Sequence, residues 1–245
     1  KSVLWAFSGL STVAFNSVPA ECPPELKPPR FIARSELPSH QLGAHEFGGS
    51  GWLGQRVGRS GGERAESIWG LTAATVGREL RLGRDSADSG TSILILGFRE
   101  PAADEPESVD QIERRLLAAT HRWFWPAMCL EGRRLEVTAG GRAAVDPAHV
   151  EEVHPFVECY RSRRTQRATL EDPGDIVVRE LPLLVPATRA GQPPVKGEVR
   201  LVVRLAADDA ADPYLGHVAW FRGAGMVVKY VDKRALASVG RPFHA

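Results

Sequence analysis

Two short stretches of this chain carry residue types suited to binding an anion. Ser89-Gly90-Thr91 stands directly before the apolar run Ser92 to Phe98, and Lys1-Ser2 stands directly before an apolar segment with helical spacing. A hydroxyl led by glycine at the head of a strand lets a phosphate oxygen approach closely. A lysine and a serine at a helix N-terminus add backbone N–H groups and a favourable dipole. Each residue also has a plainer role, Thr91 as a β-branched strand starter and Ser2 as an N-cap. Nucleophilic chemistry finds less support, because no GxSxG turn occurs. The histidines at 40, 45, 121, 149, 154, 217 and 244 form no HExxH or HxH pair, so a metal centre is not indicated. Lys1-Ser2 resembles the end of a phosphate-binding loop, but no complete Walker A motif lies within the chain.

A second cationic feature is the cluster Arg161, Arg163, Arg164 and Arg167 beside Tyr160. It can pair with nucleic-acid phosphates or form a solvated loop face, since Glu151, Glu152, Glu158, Glu171 and Asp172 flank it. The balance of 31 basic and 30 acidic side chains removes the global basic field of a dedicated nucleic-acid binder. The tryptophans at 5, 52, 69, 123, 125 and 220 are strung through apolar segments, as core anchors are. Three cysteines without a CxxC pair support neither a disulfide framework nor a zinc site, and point to a reducing, cytoplasmic setting. No apolar run reaches the roughly 20 residues of a membrane span. The chain, opening at Lys1 and stopping after Pro242-Phe243-His244-Ala245, reads as a piece of a longer polypeptide.

The elements that would position these residues follow from periodicity. Residues 2–10 read as a helix passing into a strand over 11–17. A proline-rich loop over 19–29 follows, then a glycine-rich stretch to Gly62 suited to a mobile insertion or short hairpins. A helix is predicted from Ser67 to about Leu80, weakened by Gly70 and Gly77. The run 90–98 is too apolar for a surface strand and is predicted to be central. After the acidic stretch 100–110, Ser108 is a candidate N-cap for a helix ending near Trp125-Pro126. A short strand over 134–138 with a Gly140-Gly141 turn, a helix within 146–157 and an extended segment 176–185 broken by Pro182 come next. Strands are expected over 198–205 and, as a hairpin turning at Arg222-Gly-Ala-Gly225, over 216–230. The fold class read from this order is α/β (α+β), with a boundary near residue 100: 1–100 and 101–245.

The order helix, strand, insertion, helix, Gly-Thr, strand resembles the GHKL ATPase superfamily of gyrase B subunits, MutL-type proteins, heat-shock chaperone ATPases and MORC proteins. Lys1-Ser2 and SGLSTVAFNS are similar to the segment after that superfamily's second glycine box, and Gly90-Thr91 to its late Gly-Thr element. The resemblance implies a partial GHKL-type mixed sheet followed by a transducer-like α/β domain. It implies ATP and Mg as cofactors, and contacts to phosphate from Lys1, Ser2, Gly90 and Thr91. Lys196 or Lys229 would be the transducer lysine. The superfamily's adenine-reading DxGxG and catalytic carboxylate are absent, which the resemblance places before Lys1, so that it implies an ATP hydrolase only within a longer polypeptide of a bacterial DNA-transaction or defence system. The implied partners are that upstream part and a second copy of the chain. The alternative is a non-enzymatic interaction module that uses the hairpin 216–230.

Overall fold

The computed structural model describes residues 3–59, 61–85, 87–101, 105–132, 135–162, 169–187, 193–207, 212–237 and 240–245. The chain divides into two compact units, Lys1–Glu107 and Ser108–Ala245. It is a mixed α+β protein with several small antiparallel sheets and few helices. No described helix is long and apolar enough to cross a membrane.

The first unit begins with α1 (Val3–Ala6), shorter than the spacing predicts. Ser8 ends it: its Oγ donates to the Leu96 carbonyl at 2.6 Å and accepts from the Thr12 N–H at 2.9 Å, turning the chain into β1 (Thr12–Val18). β1 pairs antiparallel with β2 (Arg30–Glu36), which sequence patterning did not anticipate. The glycine-rich stretch supplies hairpins: β3 (His40–Leu42) with β4 (His45–Phe47), and β6 (Gln55–Val57) with β7 (Arg64–Glu66). Between them β5 (Ser50–Leu53) joins β2, as does β8 (Ile68–Trp69). The helix expected from Ser67 is α2 (Gly70–Glu79). β9 (Gly90–Ile95) pairs only with β1 among the described strands, so it is an edge and not the central strand expected; Ile93 is exposed. β1 is central instead, with Val13 and Ala14 buried.

In the second unit Ser108 caps α3 (Val109–Met128): its Oγ accepts from the Gln111 N–H and its own N–H donates to Gln111 Oε1 at 2.8 Å. The helix runs past Pro126 because other groups replace the hydrogen bonds lost there. Proline has no N–H for the Arg122 carbonyl, and the Tyr230 hydroxyl donates to it at 2.6 Å. The Ala127 N–H donates to the Gly225 carbonyl at 2.9 Å. A two-residue hairpin, β10 (Thr138–Ala139) with β11 (Arg142–Ala143), replaces the strand expected over 134–138, of which residue 134 lies outside the described residues. The helix expected within 146–157 is a 3₁₀ turn, Pro147–His149, and then α4 (His154–Arg161), each with proline in its first turn, where the lacking N–H costs nothing.

β12 (Ile176–Val185) and β13 (Val195–Leu205) form a long hairpin that Pro182 does not break. The Leu205 N–H bonds to the Asp175 carbonyl, which sets the ladder's phase. Pro182, opposite Glu198, then falls at a non-hydrogen-bonded pair and turns its nitrogen to the free edge. β14 (His217–Phe221) and β15 (Val227–Asp232) form the expected hairpin, followed by α5 (Arg234–Ala237). Simple alternation sets Val227 opposite to Tyr230. A bulge at Trp220/Phe221 corrects this, bringing buried Val227 onto the packed face with Tyr230.

Between β13 and this hairpin lies one strand. β16 (Phe243–His244) pairs antiparallel with Arg204 and Leu205. On its other side the Gly216 N–H bonds to Phe243, the Ala245 N–H to His217 and the Ala219 N–H to Ala245. α3 and α4 pack on one face, around Trp125, Val153, Phe156, Val157, Tyr214 and Val227.

Candidate functional site

Gly90 and Thr91 open β9 at the end of the first unit's sheet, opposite Val18 and Ser17. The Thr91 and Ser17 hydroxyls are 3.1 Å apart on the exposed side. On the other face Asn16 is opposite Ser92 and fully buried, and its amide donates to the Leu82 carbonyl at 2.8 Å. Its Oδ1 has no hydrogen-bond partner. The Arg84 guanidinium lies against Gly90, where any Cβ would collide with it. It donates to Ser92 Oγ at 3.4 Å and pairs with Asp88 at 3.1 Å. Glycine at 90 is favoured by its φ of +153°, a backbone conformation that L side chains rarely adopt, and the Arg84 side chain packs into the space it leaves. Lys1 and Ser2 lie outside the described residues.

The head of β9 is thus a set of hydroxyls with a guanidinium behind them, donors that suit phosphate oxygens. The sequence singles out Gly90 and Thr91 as candidates, and the structure brings Ser17, Asn16 and Arg84, which the sequence did not single out, beside them. The polar end of SGLSTVAFNS was the signal, since an antiparallel neighbour of a Gly-Thr strand would bring Asn16 and Ser17 to it. Among the described residues no group of three His, Cys, Asp or Glu side chains gathers into a metal site. His40 and His45 lie against Phe47, with ring centroids 5.5 and 6.5 Å away.

Of the arginine cluster, Arg161 closes α4 and pairs with Asp146 at 3.4 Å, while Arg163, Arg164 and Arg167 lie outside the described residues. Lys196, opposite Leu184 on β13, and Lys229, opposite Trp220 on β15, are both exposed strand residues of the second unit.

The second unit holds a cavity of about 560 Å³ that sequence reading did not anticipate. Its floor is Trp125, Phe156, Cys159 and Tyr160; residues 198–202 of β13 and 218–221 of β14 line it, and Ala245 closes one end. Among the described residues β16 pairs with Arg204 and Leu205 of β13, and the cavity lies along the strand before them. Burial raises the Cys159 thiol to about 12, so it stays protonated and serves as apolar lining. Burial likewise raises the Tyr230 hydroxyl, keeping it a donor to Arg122 while it accepts from Trp125 Nε1 at 3.0 Å. Beside the floor, buried His244 lies 3.0 Å from Asp212 through Nε2; desolvation lowers its pKa although the carboxylate opposes the shift.

Comparison of the chain with protein-family models, with curated proteins and with solved structures finds no match.

Proposed function

We propose that the chain is part of an ATP-binding protein of the GHKL type, with the head of β9 on the phosphate side of the nucleotide. The observation that supports this is the pairing of the Thr91 and Ser17 hydroxyls at an exposed sheet end, with Arg84 held against Gly90. These donors fit phosphate oxygens. The described residues gather no ligand set for Mg, so no role is assigned to the ion, and no carboxylate is placed to activate water. Thr91 would donate to a phosphate oxygen, releasing its contact with Ser17. Arg84 would add positive potential from behind the strand, moderated by Asp88.

The test is a titration with ATP and Mg, followed through the amide signals of Ser17, Thr91 and Ser92. Weak binding that shifts these three signals is expected, with no turnover. Thr91→Ala should weaken it by about tenfold or more, the ~1.5–3 kcal/mol of a hydrogen bond to a charged group. Shifts that avoid β9 altogether, or unchanged affinity in the folded variant, would overturn the assignment.

A second reading, a non-enzymatic interaction module, is favoured by the hairpin 217–232. It leaves Trp220, Phe221, Met226 and Val228 exposed beside the cavity.

A further inference from the structure

We infer that the face of the first unit's sheet turned away from α2 binds single-stranded nucleic acid, with a base stacked on Trp52 and a phosphate held by Arg30. The inference goes beyond the nucleotide reading and does not rest on it.

Strand register settles which side chains share this face. Ala14, Phe31 and Ala33 pack with Ala73 of α2 and with Leu82 on the other side. Alternation then puts Arg30, Ile32 and Arg34 of β2 on the outer side. Trp52 of β5 lies opposite Arg34 at one end, and Trp69 of β8 opposite Arg30 at the other. Between them Ile32, Phe15 and Ile93 form an apolar row across three strands. Each row opens to solvent: Trp52 is 51% exposed, Ile93 is 49% exposed, and Arg30 is exposed. A face sealed by apolar packing would bury its guanidinium groups at a high cost. What lies on it must instead offer acceptors to arginine and a flat surface to an indole.

The two arginines play different parts. The Arg34 guanidinium lies 4.9 Å from the centroid of the Trp52 ring and 5.8 Å from that of Trp5, and it is ion-paired with Glu36. It braces the indole and adds little net charge. Trp52, held in this way with half its surface exposed, is a platform on which any base can stack. Arg30 is oriented by its Nε, which donates to Ser67 Oγ at 2.8 Å, and by the Trp69 ring, whose centroid is 5.6 Å away. Among the described residues no carboxylate pairs with it, so its charge is left for a phosphate.

The two ends are four residues apart on β2, about 13 Å at ~3.3 Å per residue. A nucleic-acid chain laid along β2 covers that distance in a few nucleotides, with bases over Trp52 and over the apolar row. A duplex keeps its bases inside its own stack and would present phosphates alone, so the exposed indole selects a single strand. An acidic peptide would satisfy Arg30 and leave the indole unstacked. With one unpaired guanidinium the contact is local, in keeping with the near-neutral charge of the chain, and salt should weaken it only gently.

The test is fluorescence anisotropy of labelled oligo-dT and oligo-rU, each a dozen nucleotides long, with the whole chain, joined to amide shifts. At least one of the two should bind and shift the amide signals of Arg30, Ile32 and Trp52. A duplex of the same length should bind at least tenfold more weakly, and a polyglutamate peptide should not displace the oligonucleotide. The slope of log K against log salt should be about −1 or shallower. Trp52→Ala should weaken binding fivefold or more, and Trp52→Phe should restore most of it, as stacking requires. Arg30→Ala should weaken binding and flatten the salt slope, which Arg30→Lys should bring back. Failure of both oligonucleotides, equal binding of the duplex, displacement by polyglutamate, or shifts confined to the second unit would overturn the proposal. So would unchanged affinity in a folded Trp52→Ala variant. The nucleotide reading fails separately: Thr91→Ala should leave oligonucleotide affinity within twofold, and Trp52→Ala should leave the ATP-induced shift of Thr91 in place.

Discussion

The two units bury their cores by opposite means. The first relies on small residues: Ala14, Ala33 and Ala73 pack with Phe31 and Leu82, and α2 lies so close to β1 that a Cβ on Gly77 would come within 2.5 Å of Asn16 Nδ2. The second relies on interlocked rings. The ring centroids of Trp125 and Phe156 are 6.3 Å apart and those of Tyr214 and Tyr230 4.5 Å apart, and Tyr230 joins α3 to β15 through two hydrogen bonds. Small-residue packing holds a polar side chain, Asn16, inside a thin layer next to the candidate phosphate site. Aromatic packing instead builds a thick floor under the cavity. Position is set by close backbone approach in one unit and by large side-chain volume in the other.

The sharpest break in that contrast is Trp125→Ala. The side chain is 1% exposed and touches both helices' partners, and its loss also strips Tyr230 of a donor. Denaturant unfolding should show a loss of about 3–5 kcal/mol. A cost under ~1 kcal/mol would show that the aromatic cluster is not the framework of the second unit.

The converse change in the first unit adds volume. Gly77→Ala ordinarily favours a helix, yet here the new methyl meets Asn16, whose amide is anchored to Leu82. Overpacking should make the substitution destabilising by about 1–3 kcal/mol. Pairing it with Asn16→Ala should recover part of the loss, and a stabilised single variant would refute close packing at this point.

How much of this was legible follows the same division. Ser108, α3 and the hairpin at 217–232 were readable, because capping, helical spacing and a glycine turn are local signals. The extension of α3 past Pro126 was not. It depends on Tyr230 and Gly225, about a hundred residues away, replacing two helical hydrogen bonds. At Gly225 the φ of +80° and an Ala127 Cα only 2.6 Å from any added Cβ make glycine obligatory, but sequence showed only a turn. β9 was misread as central since an apolar run indicates burial without saying which strand lies beside it. Gly90 and Thr91 were legible as a candidate site, while Arg84 and Asn16 became visible only through pairing register. The cavity of the second unit had no local signal at all, because its lining comes from α3, α4, β13 and β14, which lie far apart in the sequence.

The smallest effect concerns His244, the one buried histidine of the aromatic unit. Desolvation by its ring neighbours lowers its pKa in the folded state, and the 3.0 Å contact with Asp212 offsets only part of that. The unfolded chain therefore binds a proton more readily than the folded one. The stability contribution of the neutral ring is fully present above the ordinary histidine pKa of about 6.5 and is lost as pH falls through the lower folded value. Unfolding free energy of the second unit should decline with acidification in that window, and His244→Gln should flatten the slope while lowering stability at neutral pH. If the variant kept the wild-type slope, His244 would not be its source; if stability rose on acidification and His244→Gln removed the rise, Asp212 would dominate over burial.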